Sequence, residues 1–544
     1  MSRSVPGLEP RWLDWLGVGL VAGVYCLLLP EAPHLDGIRW TDAIAEHRLQ
    51  VNPNYLLMQP IVMGLHAAWE TLAGPSDSIL FAKRVDVACG ALSLGLMAAT
   101  LRVLGVGAAV RWSCLLLTAF SYNFLHLSTS DHIKLVTAPF LFAALHFLVL
   151  QARDPSRAWA TGAGVSMALA VCTLINAVVW GVLLVPVMWI LSGPDPGRRL
   201  RDTAIFCASA GLPALGLVLA FYAASAGDAP IWEWLTSYSA NPETRGDGFE
   251  GVSLLTLGRF VFAFLKNFVY APDVSAAVKA LLSGSPLPPA SDWSVLNALA
   301  TLTTGLGLTW LVGAIAVAWV RGGLGDGDRR VMWVLASMIL GFALFGFAWN
   351  DSDEEFWFQL TAPIALAAAL AVDRGVASRG AAGVLHGVTF VLVLNQLVSF
   401  ALPRAAEPYE ENLAELQTSL SGCGWILYDE ADGRGELLMG LRHRTGIEPE
   451  SIMFMARRHG FELDEIVAEI DATVERTRAA GGRVCVVGLF EASDYEYPWT
   501  NLAERFGISR ETFVQRLAAR GAFERREVAG QPLYVLEPPS SAAP

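Results

Sequence analysis

A small set of carboxylates and basic side chains interrupts a chain that is otherwise strongly apolar. A carboxylate can act as the general base that takes a proton from a hydroxyl group. Cationic side chains can stabilise a phosphate leaving group. Together they could transfer a unit from a phosphate to a hydroxyl. The candidate acids are Asp36, Asp42 and Asp131, and the candidate cations and hydrogen-bond donors are Arg39, Lys83, Arg84, His132 and Lys134.

Each of these residues also has an ordinary structural interpretation. Asp36 and Asp42 could simply keep a loop solvated. Asp131 could cap the helix that follows it, because Ser-Thr-Ser-Asp is a favourable N-cap sequence. Lys83 and Arg84 could extend to lipid headgroups. A further group of acids at 350–358 is interpreted as a solvated loop.

The bulk of the sequence predicts a helical bundle embedded in a membrane. Of the 544 residues, 54% are hydrophobic and 16% are charged, whereas a soluble protein usually has about 25% charged residues. Uncharged runs recur that reach or approach the roughly 17–25 residues a helix needs to cross the hydrocarbon core. The runs are Trp15–Pro30, Val87–Leu101, Cys114–Leu127, Leu135–Leu150, Ala158–Ser192, Ala204–Ala226, Val295–Val320, Val331–Trp349, Leu360–Val372 and Gly380–Leu402.

These runs predict an all-α polytopic bundle of about eleven transmembrane helices. The run Ala158–Ser192 is counted as two short spans that divide near Asn176, and a single long tilted helix is the alternative. Two further apolar stretches, 56–72 and 257–270, are expected to lie in the outer interface. Treating either one alone as a span would place basic loops outside.

The charges in the loops orient the bundle, because loops rich in Lys and Arg stay on the cytoplasmic side. We expect the N-terminus inside, a transmembrane domain at 1–403 with outer-face loops at 31–77 and 225–292, and an extracytoplasmic tail. The expected localisation is the bacterial inner or plasma membrane. The basic loops are 1–11, 102–111, 153–157, 197–202, 321–330 and 373–380, and the acidic or neutral ones are 31–55, 128–132, 225–292 and 350–358.

The tail, at 404–544, predicts a small soluble α/β domain, because strand-like runs alternate with helical ones. Cys423 and Cys485 could form a disulfide in an oxidising compartment, but two unlinked buried cysteines are the favoured interpretation. Residues 502–523 resemble a helix-turn-helix. The predicted orientation puts them across the membrane from DNA, so we expect no nucleic-acid partner. The expected strands are 425–429, 452–457, 483–491 and 533–538, and the expected helices are 410–420, 463–479 and 501–520.

The order of features in the first 160 residues resembles the GT-C superfamily of integral membrane glycosyltransferases. The resemblance is to the protein O-mannosyltransferase and aminoarabinose-transferase-like branch. The features are a first span, an acid in the next loop, the sequence NPNYLLMQP at 52–60, a stretch ending LAG at 72–74, Lys83–Arg84 opening the next span, and Asp131 after the third span.

The resemblance implies a polyprenyl-phosphate sugar donor, inversion at the anomeric carbon, and a first-loop aspartate as general base. A second acid on the outer face would support it, and Asp131 occupies that position. Asp36 fits the base better than Asp42, because the aromatic Trp40 follows it four positions later and the small Ala43 lies beyond that.

Two departures from the family pattern leave the sugar open. Gly37 follows Asp36 where relatives have an Asp-Glu pair, and Asn52-Pro53-Asn54-Tyr55 stands where they have Lys-Pro-Pro-Leu. The resemblance implies no definite cofactor and leaves a divalent metal open, since some relatives use one. The nine histidines show no metal-ligand spacing. The expected partners are the lipid bilayer, the lipid-linked donor, and a glycan, lipid or protein acceptor.

A transporter or flippase for a lipid-linked or small polar substrate is the alternative function. Such proteins usually contain internal repeats and broken helices at mid-membrane, and we find no convincing repeat. A membrane sensor that binds a partner through its outer domain would account for the tail. It would not account for the acids and cations of the outer loops.

Overall fold

The computed structural model divides into two compact units. The helical unit comprises the described residues of Met1–Leu29, Ala43–Ala240 and Asp247–Ala406, and the α/β unit comprises those of Pro30–Asp42 and Glu407–Pro544. The structure describes residues 11–225, 230–236, 260–261, 263–271, 274, 277, 294–320, 324–349, 357–374, 380–406, 408–429, 438, 441, 449–459, 461–490, 499, 502–503, 506–521, 523–528 and 531–536.

The chain up to the tail is built almost entirely from helices. Several begin at polar caps: Asp77 accepts a hydrogen bond from Leu80 N (2.7 Å), and Ser156 caps another helix. Such caps satisfy backbone N–H groups that have no partner in the first turn. The helices are α1 (Arg11–Leu27), α2 (Leu35–Ala45), α3 (Met58–Ala73), α4 (Ser78–Val103), α5 (Ala108–Ala119), α6 (Tyr122–Ser128), α7 (Thr137–Arg153), α8 (Arg157–Thr173), α9 (Val178–Leu191), α10 (Pro196–Ser225), α11 (Ile231–Thr236), α12 (Ser294–Val320), α13 (Asp326–Trp349), α14 (Phe358–Asp373), α15 (Ala381–Gln396) and α16 (Leu402–Ala405).

Most predicted spans coincide with a helix, and two of the runs are interrupted. The run Ala158–Ser192 divides at a short 3₁₀ turn, Ile175–Ala177, as the two-span interpretation predicts. The run Cys114–Leu127 is also broken, between α5 and α6, where Ser121 is extended. Four helical stretches of the described chain are long and apolar enough to cross a membrane, among them Lys134–Arg153 and Pro196–Ser225. The number of eleven spans stays a prediction.

Ion pairs join helix ends that the sequence assigns to the cytoplasmic side. Asp328 accepts from Arg374 Nε (2.9 Å) and pairs with Arg153. Asp14 pairs with Arg111 (3.2 Å) and also with the arginine that ends α4. The predicted basic loops 102–111, 153–157, 321–330 and 373–380 therefore contribute arginines to one end of the helical unit. We call it the ionic end.

The α/β unit contains a five-stranded sheet of order β2-β1-β3-β5-β4. Strands β1 to β3 are parallel, and β5 and β4 are antiparallel additions. Helices pack against the sheet, with Trp425, Ile466 and Phe513 in the core on one side. The elements are α17 (Tyr409–Ser419), β1 (Cys423–Tyr428), β2 (Pro449–Ser451), α18 (Ile452–Arg458), α19 (Leu463–Ala479), β3 (Arg483–Val487), α20 (Arg510–Ala518), β4 (Phe523–Val528) and β5 (Gln531–Leu536).

Two expectations for the tail are wrong. The run 452–457, predicted as a strand, is helix α18, and the strand β2 precedes it. A short apolar run fits a buried helix as well as a strand, so periodicity could not decide between them. Cys423 and Cys485 form a disulfide, with Cα atoms 5.9 Å apart, because the adjacent parallel strands β1 and β3 bring them together.

Candidate active site

The first part of α4 carries two buried charged side chains on one face. Lys83 is 3% exposed and Asp86 is 0% exposed, and positions three apart on a helix are neighbours. Arg84 faces outward and is exposed. The two adjacent cations that the sequence grouped therefore lie in different surroundings, and only Lys83 lies inside the protein.

A buried polar turn follows α6 and brings the second predicted acid to this region. Asp131 and His132 are 0% exposed and Lys134 is 7% exposed. The helix α4 approaches the end of α6 so closely that a Cβ on Gly90 would lie 2.7 Å from Ser128 Oγ. The polar turn, residues 128–134, thus packs against the helix that carries Lys83 and Asp86.

Asp86 holds the polar turn in an unusual conformation. Ile133 has φ of +52°, a left-handed conformation that is rare and strained for a β-branched residue. The backbone N–H of Ile133 donates to Asp86 Oδ2 over 2.8 Å. Asp86 therefore positions the segment that carries Asp131, His132 and Lys134.

Sequence reasoning missed Asp86, although a signal was present. An ionisable residue inside an apolar helix suggests a functional site by default. Asp86 directly precedes the uncharged run Val87–Leu101, so it lies at the edge of an apolar helix. Its partner, the N–H of Ile133, lies 47 residues away in the sequence, so the contact itself could not be predicted.

Aromatic side chains lie beside the polar turn. The rings of His126 and His132 are 5.6 Å apart between centroids, and ring nitrogens of the two lie within 4.8 Å of each other. His126 also stacks on Phe400 at 5.7 Å. Two imidazoles this close are a donor pair that zinc and similar divalent ions accept, so a metal site remains open.

The opening stretch, residues 31–55, is more ordered than a solvated loop. Asp36, Arg39 and Asp42 lie in helix α2. Asp42 is partly buried, while the side chains of Asp36 and Arg39 lie outside the described part of the structure. We expected one interfacial helix after this stretch, and α3 (Met58–Ala73) occupies that position.

The end of this stretch is fixed by a buried amide on α3. Gln59 is 0% exposed. Its Nε2 donates to Arg48 O (3.0 Å), and its Oε1 accepts from Gln50 N (2.7 Å). The backbone after α2 is therefore held to α3 within the helical unit. The acids at 351–355, which the sequence interprets as a solvated loop, lie outside the described residues.

The polar turn and the ionic end lie at opposite ends of α4. Lys83 and Arg102 are 19 positions apart, which is about 28 Å along a helix. Arg102 belongs to the ionic end through its pair with Asp14. The candidate site therefore lies almost a membrane thickness from the basic loops.

No family model and no curated protein matches this sequence. Solved structures do match. ArnT from Cupriavidus metallidurans bound to undecaprenyl phosphate aligns with a TM-score of 0.56 and 13% identity, over 98% of this chain and 99% of that one. The Archaeoglobus fulgidus oligosaccharyltransferase in the apo form aligns with a TM-score of 0.51 and 11% identity, over 98% and 76%. AglB from the same organism, in complex with an inhibitory peptide and a dolichol-phosphate, aligns with a TM-score of 0.51 and 10% identity, over 98% of this chain and 75% of that one.

These likenesses establish the fold. The match to ArnT covers nearly the whole of both chains. The chain therefore has the fold of these structures, as the order of motifs in the first 160 residues predicts.

Proposed function

We propose that this protein is a membrane glycosyltransferase that moves a sugar from a polyprenyl-phosphate donor to an acceptor on the outer face of the membrane. The observation that carries the proposal is the buried set of Lys83, Asp86, Asp131 and Lys134 at one end of a GT-C fold. Related structures of this fold hold undecaprenyl phosphate or a dolichol-phosphate. That class of ligand fits a site with buried cations inside an apolar bundle.

The proposed reaction is a single displacement. A first-loop carboxylate, Asp36 in preference to Asp42, takes the proton from the acceptor hydroxyl. The acceptor oxygen forms a bond to the anomeric carbon while the bond from that carbon to the phosphate oxygen breaks. The electron pair leaves with polyprenyl phosphate, and attack from the opposite side inverts the anomeric centre.

Lys83 and Lys134 are the proposed cations for the departing phosphate. A buried ammonium group stabilises developing negative charge more strongly than an exposed one, because the surrounding medium screens it less. Asp131 is the proposed second acid, and Asp86 positions the turn that carries it. Arg84 is exposed and fits a role at the lipid headgroups.

The disulfide supports an outer-face location for the α/β unit. Disulfides form and persist in oxidising compartments and are rare in the cytosol. A bond between Cys423 and Cys485 is therefore consistent with an extracytoplasmic domain. The clustering of predicted cytoplasmic loops at the ionic end supports the same orientation for the helical unit.

The proposal takes a lipid-linked sugar and a glycan, lipid or protein acceptor as partners. A divalent metal remains open. His126 and His132 would supply two of its ligands, and the metal would act as a Lewis acid on the phosphate. Adding a chelator to the assay below tests for it, since the activity of a metal-dependent enzyme would fall and return with added zinc or manganese.

Sugar transfer in membrane vesicles tests the function. Vesicles containing the full chain would receive polyprenyl-phosphate donors with radiolabelled sugars, and release of the label from the lipid would be followed. Asp36→Asn and Asp42→Asn remove the two candidate bases. Glu46→Gln is the matched control, because Glu46 belongs to the same stretch and pairs with Arg48 at the surface.

The outcomes separate the candidate functions. Loss of transfer in Asp36→Asn but not in Glu46→Gln supports the proposed base. Transfer at the wild-type rate in both aspartate variants contradicts it. Movement of intact lipid-linked sugar across the membrane, with no transfer from any donor, would favour the transporter alternative. A protease-accessibility map that places the tail inside would overturn the orientation.

A further inference from the structure

A short segment at 267–270 is held in place by backbone and amide groups of two helices. Asn267 O accepts from Asn123 N (3.2 Å), and Phe268 O accepts from Tyr122 N (3.1 Å). Both donors lie at the start of α6, the helix that leads into the polar turn. The segment therefore adjoins the candidate active site within the helical unit.

Two amides at the end of α15 bind the same segment. Asn395 Nδ2 donates to Tyr270 O (2.9 Å), and Gln396 Nε2 donates to Phe268 O (2.9 Å). A backbone carbonyl can only accept a hydrogen bond. Each NH₂ group must therefore point at the segment, which leaves the amide oxygen directed elsewhere.

These amide oxygens have no donor among the described residues. The same holds for Asn267, whose Nδ2 donates to Thr361 Oγ1 (3.1 Å). All three amide side chains are 0% exposed. Buried polar atoms are nearly always hydrogen-bonded, because leaving one without a partner is costly. Three buried acceptors, one on the segment and two on the end of α15, indicate that something else donates to them.

A cluster of aromatic rings, which we call the wall, lies beside these amides. Directly after α15 the helix widens into a π turn, Leu397–Ala401, a feature often found at functional sites. Phe400 on this turn lies 5.1 Å from the ring of Tyr122 and 5.0 Å from that of Tyr270. It also stacks on His126, and both His126 and Tyr270 are partly exposed.

We propose that this amide and aromatic cluster binds the sugar ring of the lipid-linked donor, an assignment that rests on the proposed function. Sugar hydroxyls are hydrogen-bond donors that suit unsatisfied carbonyl oxygens. The C–H face of the ring can pack on Phe400, Tyr270 and His126, since binding sites combine apolar walls with a few placed polar groups. A phosphate does not fit here, because its oxygens are acceptors and the carbonyls would repel them.

The position relative to the polar turn suits this role. His126 contacts both Phe400 and His132, and His132 precedes Lys134 by two positions. The sugar subsite therefore adjoins the turn that carries a proposed phosphate cation. A sugar and the phosphate attached to it need two such neighbouring subsites.

Binding of two kinds of lipid to the full chain in detergent tests the proposal. One is undecaprenyl phosphate without a sugar. The other is a set of undecaprenyl phosphates that carry glucose, galactose, mannose or arabinose. In wild type, at least one sugar-bearing lipid should bind more tightly than the sugar-free lipid. Asn395→Leu and Gln396→Met should each weaken that binding by about tenfold and leave the affinity for undecaprenyl phosphate unchanged.

Two further variants separate sugar recognition from a folding defect. Phe400→Leu removes a ring of the wall without touching any of these hydrogen bonds, and it should also weaken only the sugar-bearing lipid. Gln151→Met is the matched control. Gln151 is buried, and both ends of its amide are hydrogen-bonded: Nε2 donates to Asp202, and Oε1 accepts from Ser156 N. Its replacement should therefore change the affinity for neither kind of lipid.

The failures of the two proposals differ. Equal weakening of both lipids in the amide variants, or no change in either, overturns the sugar subsite. The sugar subsite is also overturned if the wild-type protein binds undecaprenyl phosphate but binds none of the sugar-bearing lipids more tightly. A wild-type protein that binds neither kind of lipid contradicts the proposed function itself.

Discussion

Replacing Asp86 tests whether the polar turn depends on a single carboxylate. Asp86→Ala removes the acceptor of the Ile133 N–H and leaves that group buried without its partner. Asp86→Asn keeps a carbonyl oxygen in nearly the same place. We therefore expect a large effect of alanine and a smaller one of asparagine on the stability of the turn.

The magnitude follows from the hydrogen bond that is lost. The left-handed conformation costs a residue such as Ile133 about 1–2 kcal/mol, but this strain is the same in wild type and variant. A hydrogen bond to a charged group contributes about 1.5–3 kcal/mol, and its loss corresponds to a change of roughly 10- to 150-fold in the population of the turn.

Amide hydrogen exchange measures this population directly. In the full chain, the peptide that contains residues 128–136 should exchange roughly 10- to 150-fold faster in Asp86→Ala than in wild type, since exchange follows local opening. Sugar transfer should fall with it, because Asp131 and Lys134 are carried by the same turn. The control is Ser93→Ala, since Ser93 is buried on α4 and its Oγ donates to Cys89 O of the same helix.

Unchanged exchange of this peptide in Asp86→Ala would refute the positioning role. An equal loss of transfer in Asp86→Asn and Asp86→Ala, with unchanged exchange in both, would instead mean that the charge of Asp86 acts on the substrate. Faster exchange in Ser93→Ala would mean that the turn responds to any disturbance of α4.

Three other predictions follow from the same structure. Lys83→Ala should weaken the binding of undecaprenyl phosphate by at least tenfold while Arg84→Ala changes it little, because only the first side chain is buried; equal effects would contradict this. Cys423→Ser opens a disulfide with a sequence separation of 62, and the α/β unit should lose about 2–4 kcal/mol of stability in thermal unfolding of the full chain. A hydrogen bond to Glu469 raises the pKa of His459, so this pair stabilises the fold below the unfolded pKa of about 6.5, and the stabilisation is lost as pH rises through the raised folded value. The pH dependence of unfolding should flatten in Glu469→Gln, and an unchanged profile would show that the pair contributes nothing.

Sequence patterns gave the architecture because they depend on local chemistry. Long uncharged runs predict helices that cross a membrane, and the break near Asn176 appears as a 3₁₀ turn in the expected place. Basic loops predicted to share one side contribute to one ionic end, because Asp328 pairs with arginines of two other loops. In the tail, the predicted helix 463–479 matches α19 in full.

The sequence singled out several residues that the structure brings into the candidate site, but it did not predict their geometry. Asp131, His132 and Lys134 stood out because charged residues are scarce in this chain, and the structure buries all three. The proposed roles of Asp36 and Asp42 remain predictions. Which of two adjacent cations lies inside was decided by helix phase and neighbouring elements, which bury Lys83 and expose Arg84.

The composition and order of residues thus determined that the chain is a helical bundle followed by an α/β domain, since hydrophobicity and charge act over short stretches. Only the tertiary structure decided which distant groups meet. Asp86 and the N–H of Ile133 come together because α4 packs on the end of α6, and Cys423 and Cys485 because β1 and β3 are neighbours. The left-handed Ile133 is disfavoured locally and exists only because Asp86, from another helix, holds it.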